Sequence, residues 1–306
     1  MSLSLAEADT TALETEPDEA AGGLWSDAFK RLRRNPAAIV GALLVLLFLA
    51  VAIFAPLLAP YDPAAQVGFG DIRPSYVPGP SSQHWLGLDT LGRDELSRII
   101  YGARQSLIVA VVSVSIAGVV GSLLGLLAGA FGGWVDNLVM RVVDIMLAVP
   151  GLLFAIGVAA MLGQSLKSVM IAIATVNVPI FARLLRGSML ANRGADYVLA
   201  ARSLGVRRKD ITLGHVVPNS VSPVIVQGTL TLATAVVDAA GLSFLGLGSA
   251  DPSIPEWGRM LTEMQDALSY APHLALFPGL GIVLSALGFT LLGEAMREAI
   301  DPKFRR

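Results

Sequence analysis

The chain has 306 residues, of which 54% are hydrophobic and 15% are charged, and its formal net charge is −2. Soluble domains average about 25% charged residues, so the composition favours a membrane protein, and the near-neutral charge gives no sign of a nucleic-acid partner. Cysteine is absent, which excludes disulfides, thiolate metal sites and cysteine catalysis. Three histidines lie far apart in the sequence, which argues against a histidine metal site.

The N-terminal segment is acidic. Residues 1–23 contain six acidic residues and no basic one, whereas a secretory signal would begin with positive charge. The composition predicts a disordered acidic tail over residues 1–24.

Apolar windows then follow along the chain. A helix needs about 20 apolar residues to cross the hydrocarbon. Such windows predict six transmembrane helices, at residues 37–59, 105–135, 145–166, 168–190, 211–237 and 267–293. The fourth of these reaches residue 190 only if Arg183 and Arg186 lie near its inner end. Because no window shows the two-residue alternation of barrel strands, we predict an all-α membrane protein.

Basic residues set the expected orientation, because they are concentrated in cytoplasmic loops. Fifteen of the 22 lysines and arginines lie before the first predicted span, around the loop between spans four and five, or after the sixth span. Both termini are therefore predicted to be cytoplasmic, and the protein is predicted to be multi-pass. The expected organisation is a cytoplasmic tail, an N-terminal segment with the first span, an extracytoplasmic loop, a core transmembrane domain and a cytoplasmic C-terminus, at residues 1–24, 25–60, 61–104, 105–300 and 301–306.

Small and polar residues mark the interior of the spans. Glycines at positions 118, 121, 125 and 129 favour close helix packing, either within this chain or at a pathway or subunit interface. Arg141 with Asp144, and Glu294 with Arg297, have the i, i+3 spacing of local ion pairs. Polar residues inside a membrane are candidates for function by default. The candidates for lining a translocation pathway are Asn177, which precedes Pro179, together with Gln227 and Asp238.

A basic loop, residues 191–217, separates spans four and five. Asp196 is predicted as the N-cap of a helix over residues 197–204, and Gly205 as the left-handed residue that ends it. Asp210 is predicted to cap the next helix, and Pro218 to redirect the chain into span five. A solvated loop does not need the small apolar pair Ala200-Ala201, so this pair favours docking on a partner.

The basic loop resembles the coupling loop of bacterial ABC importer permeases. Those permeases carry Glu-Ala-Ala, three residues, Gly, nine residues, and then an aliphatic residue, any residue, Leu and Pro. This chain has Leu199-Ala200-Ala201, Gly205 and Val217-Pro218 at the same spacing. Leu199 replaces the glutamate, which at the third helical position would close a capping box with Asp196. The expected consequence is altered or more apolar docking.

Further stretches make the resemblance specific to the C-type permease subunit of dipeptide, oligopeptide and nickel importers. They are residues 84–89, 92–94, 97–98, 101–104, 131–136, 141–144, 242–248, 255–258 and 301–302. The resemblance implies the type I ABC importer fold in a bacterial inner membrane, with cytoplasmic coupling helices. It implies a B-type permease as heterodimer partner, two ABC ATPase domains that bind ATP and Mg, and an extracytoplasmic substrate-binding protein.

The resemblance also implies two sets of contact residues. ATPase coupling is expected at Asp196, Leu199, Ala200, Ala201, Arg202, Gly205, Val206, Arg207 and Pro218. Contact of the outer loops with the binding protein is expected at Asp89, Arg93, Asp94, Glu256 and Trp257.

The implied function is a non-catalytic permease subunit that forms half of a translocation pathway for short peptides. Nickel, glutathione and opines remain alternative substrates, because importers of these compounds look alike at this level. The chain has no Gly-x-x-x-x-Gly-Lys-Ser/Thr loop, so ATP is expected on partner subunits, with no cofactor, metal or catalytic residue in this chain. An ion-driven transporter would need membrane-centre carboxylates and internal repeats, and an intramembrane enzyme would need a nucleophile–base or metal constellation.

Overall fold

The computed structural model describes residues 29–300. The acidic tail predicted for residues 1–24, the first part of the segment 25–60, and the C-terminus 301–306 with Asp301 and Pro302 lie outside the described residues.

Within that range the chain is helical, with two isolated β-bridges and no named strand. Short 3₁₀ helices lie at Phe69–Asp71 and Gln265–Ala267, and a π turn lies at Thr212–Val216. The α-helices are α1 Pro36–Ile53, α2 Ala55–Leu58, α3 Glu95–Phe131, α4 Gly133–Ala148, α5 Gly151–Leu162, α6 Leu166–Asn192, α7 Asp196–Ser203, α8 Arg208–Ile211, α9 Val217–Ser220, α10 Ser222–Phe244, α11 Trp257–Glu263 and α12 His273–Ile300. The predicted all-α fold class is confirmed.

Five helical stretches are long and apolar enough to cross a membrane: α1, α3, α6, residues Arg208–Phe244, and α12. A sixth is obtained if α4 and α5, which are bent by 95° relative to each other, count as one span. The prediction of a single helix over residues 145–166 is therefore wrong. The helix breaks at Val149, whose backbone is extended, and Pro150 follows. Proline lacks an N–H and disfavours helical backbone in the residue before it, which explains the break.

Several other boundaries differ from the hydropathy windows. Helix α1 ends at Ile53 and not at residue 59, α3 ends at Phe131 and not at residue 135, and the fifth stretch extends to Phe244 and not only to residue 237. Helix α3 begins ten residues before the predicted span, because Asp94 caps it by accepting a hydrogen bond from the Ser97 N–H at 2.8 Å. Its charged first turns are buried beneath the outer loop and do not end the helix. Helix α12 begins at His273, directly after Pro272, and not at residue 267.

The centre of the bundle is the packing of α3 against α6. A Cβ atom added at Gly121 would lie 2.4 Å from the Val178 carbonyl oxygen, and one at Gly125 would lie 2.5 Å from that of Ala182. Gly118 faces open space. Three of the four predicted small-residue positions, the third being Gly129, therefore serve packing within this chain.

Ion pairs join α4 to the C-terminal half of α6. Asp144 lies 2.5 Å from Arg183, so the predicted pair with Arg141 is wrong. Asp136 contacts Arg186 through two oxygens, with Oδ2 at 2.7 Å from Nη2. Sequence spacing favours a local partner, whereas the fold supplies one from a helix about 40 residues away.

A buried ionic network holds the outer loop on α3 and α11. Arg93 Nε lies 2.5 Å from Asp89 Oδ2, and Arg93 Nη2 lies 2.7 Å from Glu263. Arg98 contacts the same two carboxylates, at 3.3 and 3.1 Å. Asp94, besides capping α3, lies 2.9 Å from His84 Nδ1. Removing these charges from water is costly, and their mutual pairing offsets that cost.

Candidate functional site

The first helix of the basic loop starts one residue earlier than predicted. Ala195 is the N-cap of α7, and Asp196 is the first helical residue, with no capping hydrogen bond from its side chain. Leu199 is then the fourth helical residue, so a capping box between positions 196 and 199 does not fit this helix. The carboxylate of Asp196 still lies at the positive end of the helix dipole.

Gly205 ends α7 as predicted. Its φ is +77°, its N–H donates to the Arg202 carbonyl at 3.0 Å, and the Val206 N–H donates to the Ala201 carbonyl at 3.2 Å. These two bonds define a Schellman motif, which satisfies carbonyls that a helix end otherwise leaves free. The chain reverses here tightly enough to bring α8 beside α7.

The second half of the loop departs from the prediction. Arg207 is the N-cap of α8, and Asp210 lies within its first turn without a capping bond. A π turn follows, in which the Val217 N–H donates to the Thr212 carbonyl. Pro218 comes directly after this turn and does not interrupt the helical stretch Arg208–Phe244. We attribute this to the π turn, which shifts the hydrogen-bond register just before a residue that lacks an N–H.

One face of the basic loop is packed onto the membrane helices. Val198 is 1% exposed and belongs to an apolar cluster with four residues from α6, α8 and the π turn. Those residues are Leu185, Met189, Ile211 and Val216. Burial of such side chains stabilises the docked loop, at about 1.5–3 kcal/mol for each one fully buried.

Two polar residues at the end of α6 complete this attachment. The side-chain nitrogen of Asn192 lies 3.0 Å from Ser220 Oγ and 3.3 Å from the Asn219 carbonyl oxygen. Arg193 donates to the Ala130 carbonyl at 2.8 Å. Neither residue was predicted as a site residue, because their partners lie 27 to 63 residues away and leave no local signal.

The opposite face exposes apolar side chains among arginines. Leu204 is 84% exposed and Leu199 is 47% exposed, and Tyr197 and Val206 are exposed beside them. Ala200 is exposed as well, whereas Ala201 is half-buried. A cluster of exposed large apolar groups marks an interaction surface more often than a solvated loop.

The predicted pathway residues lie apart along the bundle. Asn177 is buried within α6, where its amide donates to the Ile173 carbonyl at 2.8 Å. Gln227 lies 3.2 Å from Thr231 on α10 and lines a cavity with residues of α6 and α12. Asp238 is half-buried near the C-terminal end of α10. The structure does not bring the three into one site.

The five predicted outer contact residues are buried inside this chain. Asp89, Arg93, Asp94, Glu256 and Trp257 are 0–3% exposed. Three of them belong to the ionic network. The Trp257 indole N–H donates to the Ile99 carbonyl at 3.0 Å. Burial raises the pKa of the Glu256 carboxyl, and the hydrogen bond that it accepts from the Ser243 hydroxyl opposes this effect. Their burial argues against direct side-chain contact with a binding protein in this conformation.

Two family models match the chain. Residues 121–306 match the binding-protein-dependent transport system inner membrane component, and residues 23–73 match the N-terminal transmembrane domain of oligopeptide transport permease C. Together the two matches include α1 and the bundle from the middle of α3 onward.

Curated relatives match over almost the whole chain. The dipeptide transport system permease protein DppC of Alkalihalophilus pseudofirmus is 45% identical over 92% of this chain and 90% of that protein. The glutathione transport system permease proteins GsiD of Pectobacterium atrosepticum and Escherichia coli O157:H7 are 42% and 45% identical, each over 92% of this chain and 92% and 91% of their own lengths.

A solved structure supports the fold. An inward-facing conformation of the MetNI methionine ABC transporter superposes with a TM-score of 0.52 at 18% identity, covering 67% of this chain and 96% of that one. Members of the matched family are non-catalytic membrane subunits, and ATP is bound by a partner ATPase. This chain belongs to the family of inner membrane components of binding-protein-dependent transport systems, as an oligopeptide permease C-type subunit of an ABC importer.

Proposed function

We propose that this chain pairs with a B-type permease to form a translocation pathway for short peptides, which two ABC ATPase domains drive through the basic loop. The observation that carries the coupling role is the exposed apolar face of the loop, whose other side is fixed to α6 and α8. A surface that is anchored on one side and apolar on the other suits a groove on a partner subunit.

Short peptides are the proposed substrate class because the relatives at 42–45% identity are named for dipeptide and glutathione transport. An extracytoplasmic binding protein would deliver the substrate. Nickel and opines are disfavoured on the same ground. Asn177, Gln227 and Asp238 remain proposed pathway residues, and Asp238 is the strongest candidate because it is an acidic side chain placed within a membrane helix.

We propose that both termini and the basic loop face the cytoplasm. Arg183, Arg186 and Arg193 mark the same end of α6, and Arg202, Arg207 and Arg208 follow in the loop. Concentration of arginine at one end of the bundle supports this orientation.

The experiment that tests the assembly is purification of the protein from its native membrane in mild detergent, with co-purifying chains identified by mass spectrometry. We expect a second permease and ATPase subunits, and a binding protein whose bound ligand identifies the substrate. Recovery of this chain alone, or as a homo-oligomer, under several gentle conditions would contradict the proposal and favour an ion-driven transporter.

Leu199→Glu tests whether the loop docks through its apolar face. The exposed leucine would be buried on docking, so replacement by a charge is expected to lower substrate-stimulated ATP hydrolysis by roughly tenfold in the reconstituted importer. Ala191→Glu places the same charge on an exposed residue of α6, outside α7, and serves as the control, with an expected change below about twofold. If Leu199→Glu leaves docking affinity and ATP hydrolysis unchanged, position 199 lies outside the contact.

A further inference from the structure

A cavity of about 420 Å³ lies within the basic loop, between α7 and the start of the Arg208–Phe244 stretch. The residues that line it include three arginines, Arg193, Arg202 and Arg208, and three apolar residues, Val198, Ile211 and Val216. No carboxylate belongs to this lining. Three basic residues therefore line this cavity, and no acidic residue of the described part of the chain lines it.

The three charges are not balanced nearby. Among residues 29–300, none of the three arginines has a carboxylate within 4.0 Å, and Asp136, the acidic group nearest on α4, is paired with Arg186. Asp196 and Asp210 lie on the helices that flank the cavity but belong to none of the ion pairs in this range. Burial lowers the pKa of the Arg193 guanidinium, and the positive charges of Arg208 and Arg202 lower it further, against the opposing effect of Asp136.

Arg193 is also held in place, since its Nη2 donates to the Ala130 carbonyl at 2.8 Å. A fixed, half-buried guanidinium loses little freedom when it binds a carboxylate, and such charge-assisted hydrogen bonds are the strong ones. The cavity is therefore organised for an anionic group before any ligand arrives.

The position of the cavity favours a protein partner over a lipid. Val206, two residues after Leu204, lines the cavity and is exposed, and Arg202 and Arg208 are exposed as well, so the cavity opens at the surface of the loop that we propose docks on the ATPase. A separate groove beside Arg208, lined by Leu126, Leu127 and Leu213, has the apolar walls that a lipid chain needs. Arg202 lines the cavity and not that groove, so Arg202 distinguishes the two.

We propose that this arginine-lined cavity receives an acidic side chain of the ATPase subunit, which adds an ion pair to the apolar docking contact. The inference rests on the proposed coupling role of the basic loop. Leu199 removes the negative charge that the resembling permeases place on this helix. The charged part of the contact is then carried by arginines of this chain and a carboxylate of the partner.

The test uses the complete importer in lipid nanodiscs, with Arg202→Glu compared with Lys209→Glu. Lys209 lies on the same loop, but it lines the neighbouring groove and not the cavity, and its variant changes the net charge equally. We expect Arg202→Glu to lower substrate-stimulated ATP hydrolysis roughly tenfold or more, and to release the ATPase at lower salt, with a change below about twofold for Lys209→Glu. Replacing single acidic residues of the ATPase by lysine should then identify one that restores activity to Arg202→Glu.

Four results would overturn the inference. They are an equal loss in both variants, no loss with Arg202→Glu while the ATPase still co-purifies, failure of every lysine variant to rescue, and a loss that tracks the fraction of anionic lipid in the nanodisc. Arg202→Gln, which removes the charge without reversing it, is expected to show an intermediate loss and thereby separates charge from misfolding. Failure of the unaltered chain to retain any ATPase would instead contradict the proposed function itself.

Discussion

Replacing Arg93 by methionine is expected to lower the free energy of unfolding by about 3 kcal/mol, because it removes a buried cation and leaves the carboxylates of Asp89 and Glu263 to Arg98 and Arg259 alone. Arg93 contacts Asp89 and Glu263, and it donates to the Pro252 carbonyl at 2.7 Å, so one side chain joins three segments of the outer layer. Methionine keeps the apolar stem and removes the charge together with the hydrogen bonds of the guanidinium, including the one to the Pro252 carbonyl. In thermal unfolding of the detergent-solubilised protein, the midpoint should fall by on the order of 10 °C.

Arg104→Met is the matched control for this substitution. Arg104 lies on the same helix, α3, but it is exposed and forms no ion pair within the described range. Its removal is expected to change the midpoint by less than about 2 °C. An Arg93 variant that melts like the unaltered protein would mean that the ionic network does not hold the outer loop in place.

Gly121→Val is expected to disrupt the packing of α3 on α6. The added Cβ would lie 2.4 Å from the Val178 carbonyl oxygen and 2.7 Å from the Phe181 Cβ, so the new atom meets backbone that cannot rotate away. Overpacking of this kind costs about 1–3 kcal/mol and occasionally more. We expect a lower midpoint of thermal unfolding and loss of substrate-stimulated ATP hydrolysis in the reconstituted complex, because the two helices must separate.

Gly118→Val provides the control within the same helix. This substitution changes helix propensity by the same amount, one turn away from Gly121. A Cβ atom added at Gly118 would meet no atom within 4 Å. Equal destabilisation by the two valines would show that the effect comes from propensity, and would remove the packing argument. A strong effect of Gly118→Val on assembly alone would indicate that this position contacts another subunit.

The sequence predicted features that depend on local pattern. Hydropathy located the spans, and the left-handed glycine at position 205 located the end of α7. Small-residue spacing identified the face of α3 that packs on α6. Each of these follows from residues within a few positions of one another, whose geometry is fixed by the helix itself.

Other features depend on distant partners and were predicted wrongly or missed. Asp144 has Arg141 within one turn, but the fold places Arg183 closer. Charged residues of the outer loop look exposed in the sequence, yet pairing across 165 to 170 positions buries them. Val149-Pro150 lies inside an unbroken apolar window, and hydropathy does not register the backbone restriction that bends the chain there.

The Asn192 contacts have a mechanical consequence. This amide lies at the last residue of α6 and within hydrogen-bond distance of Ser220, which precedes α10. The basic loop is therefore tied to the ends of two membrane helices, and Val198 packs its inner side against α6. Because the loop is attached at both ends, we expect a force applied to it to move the adjoining ends of α6 and α10 together.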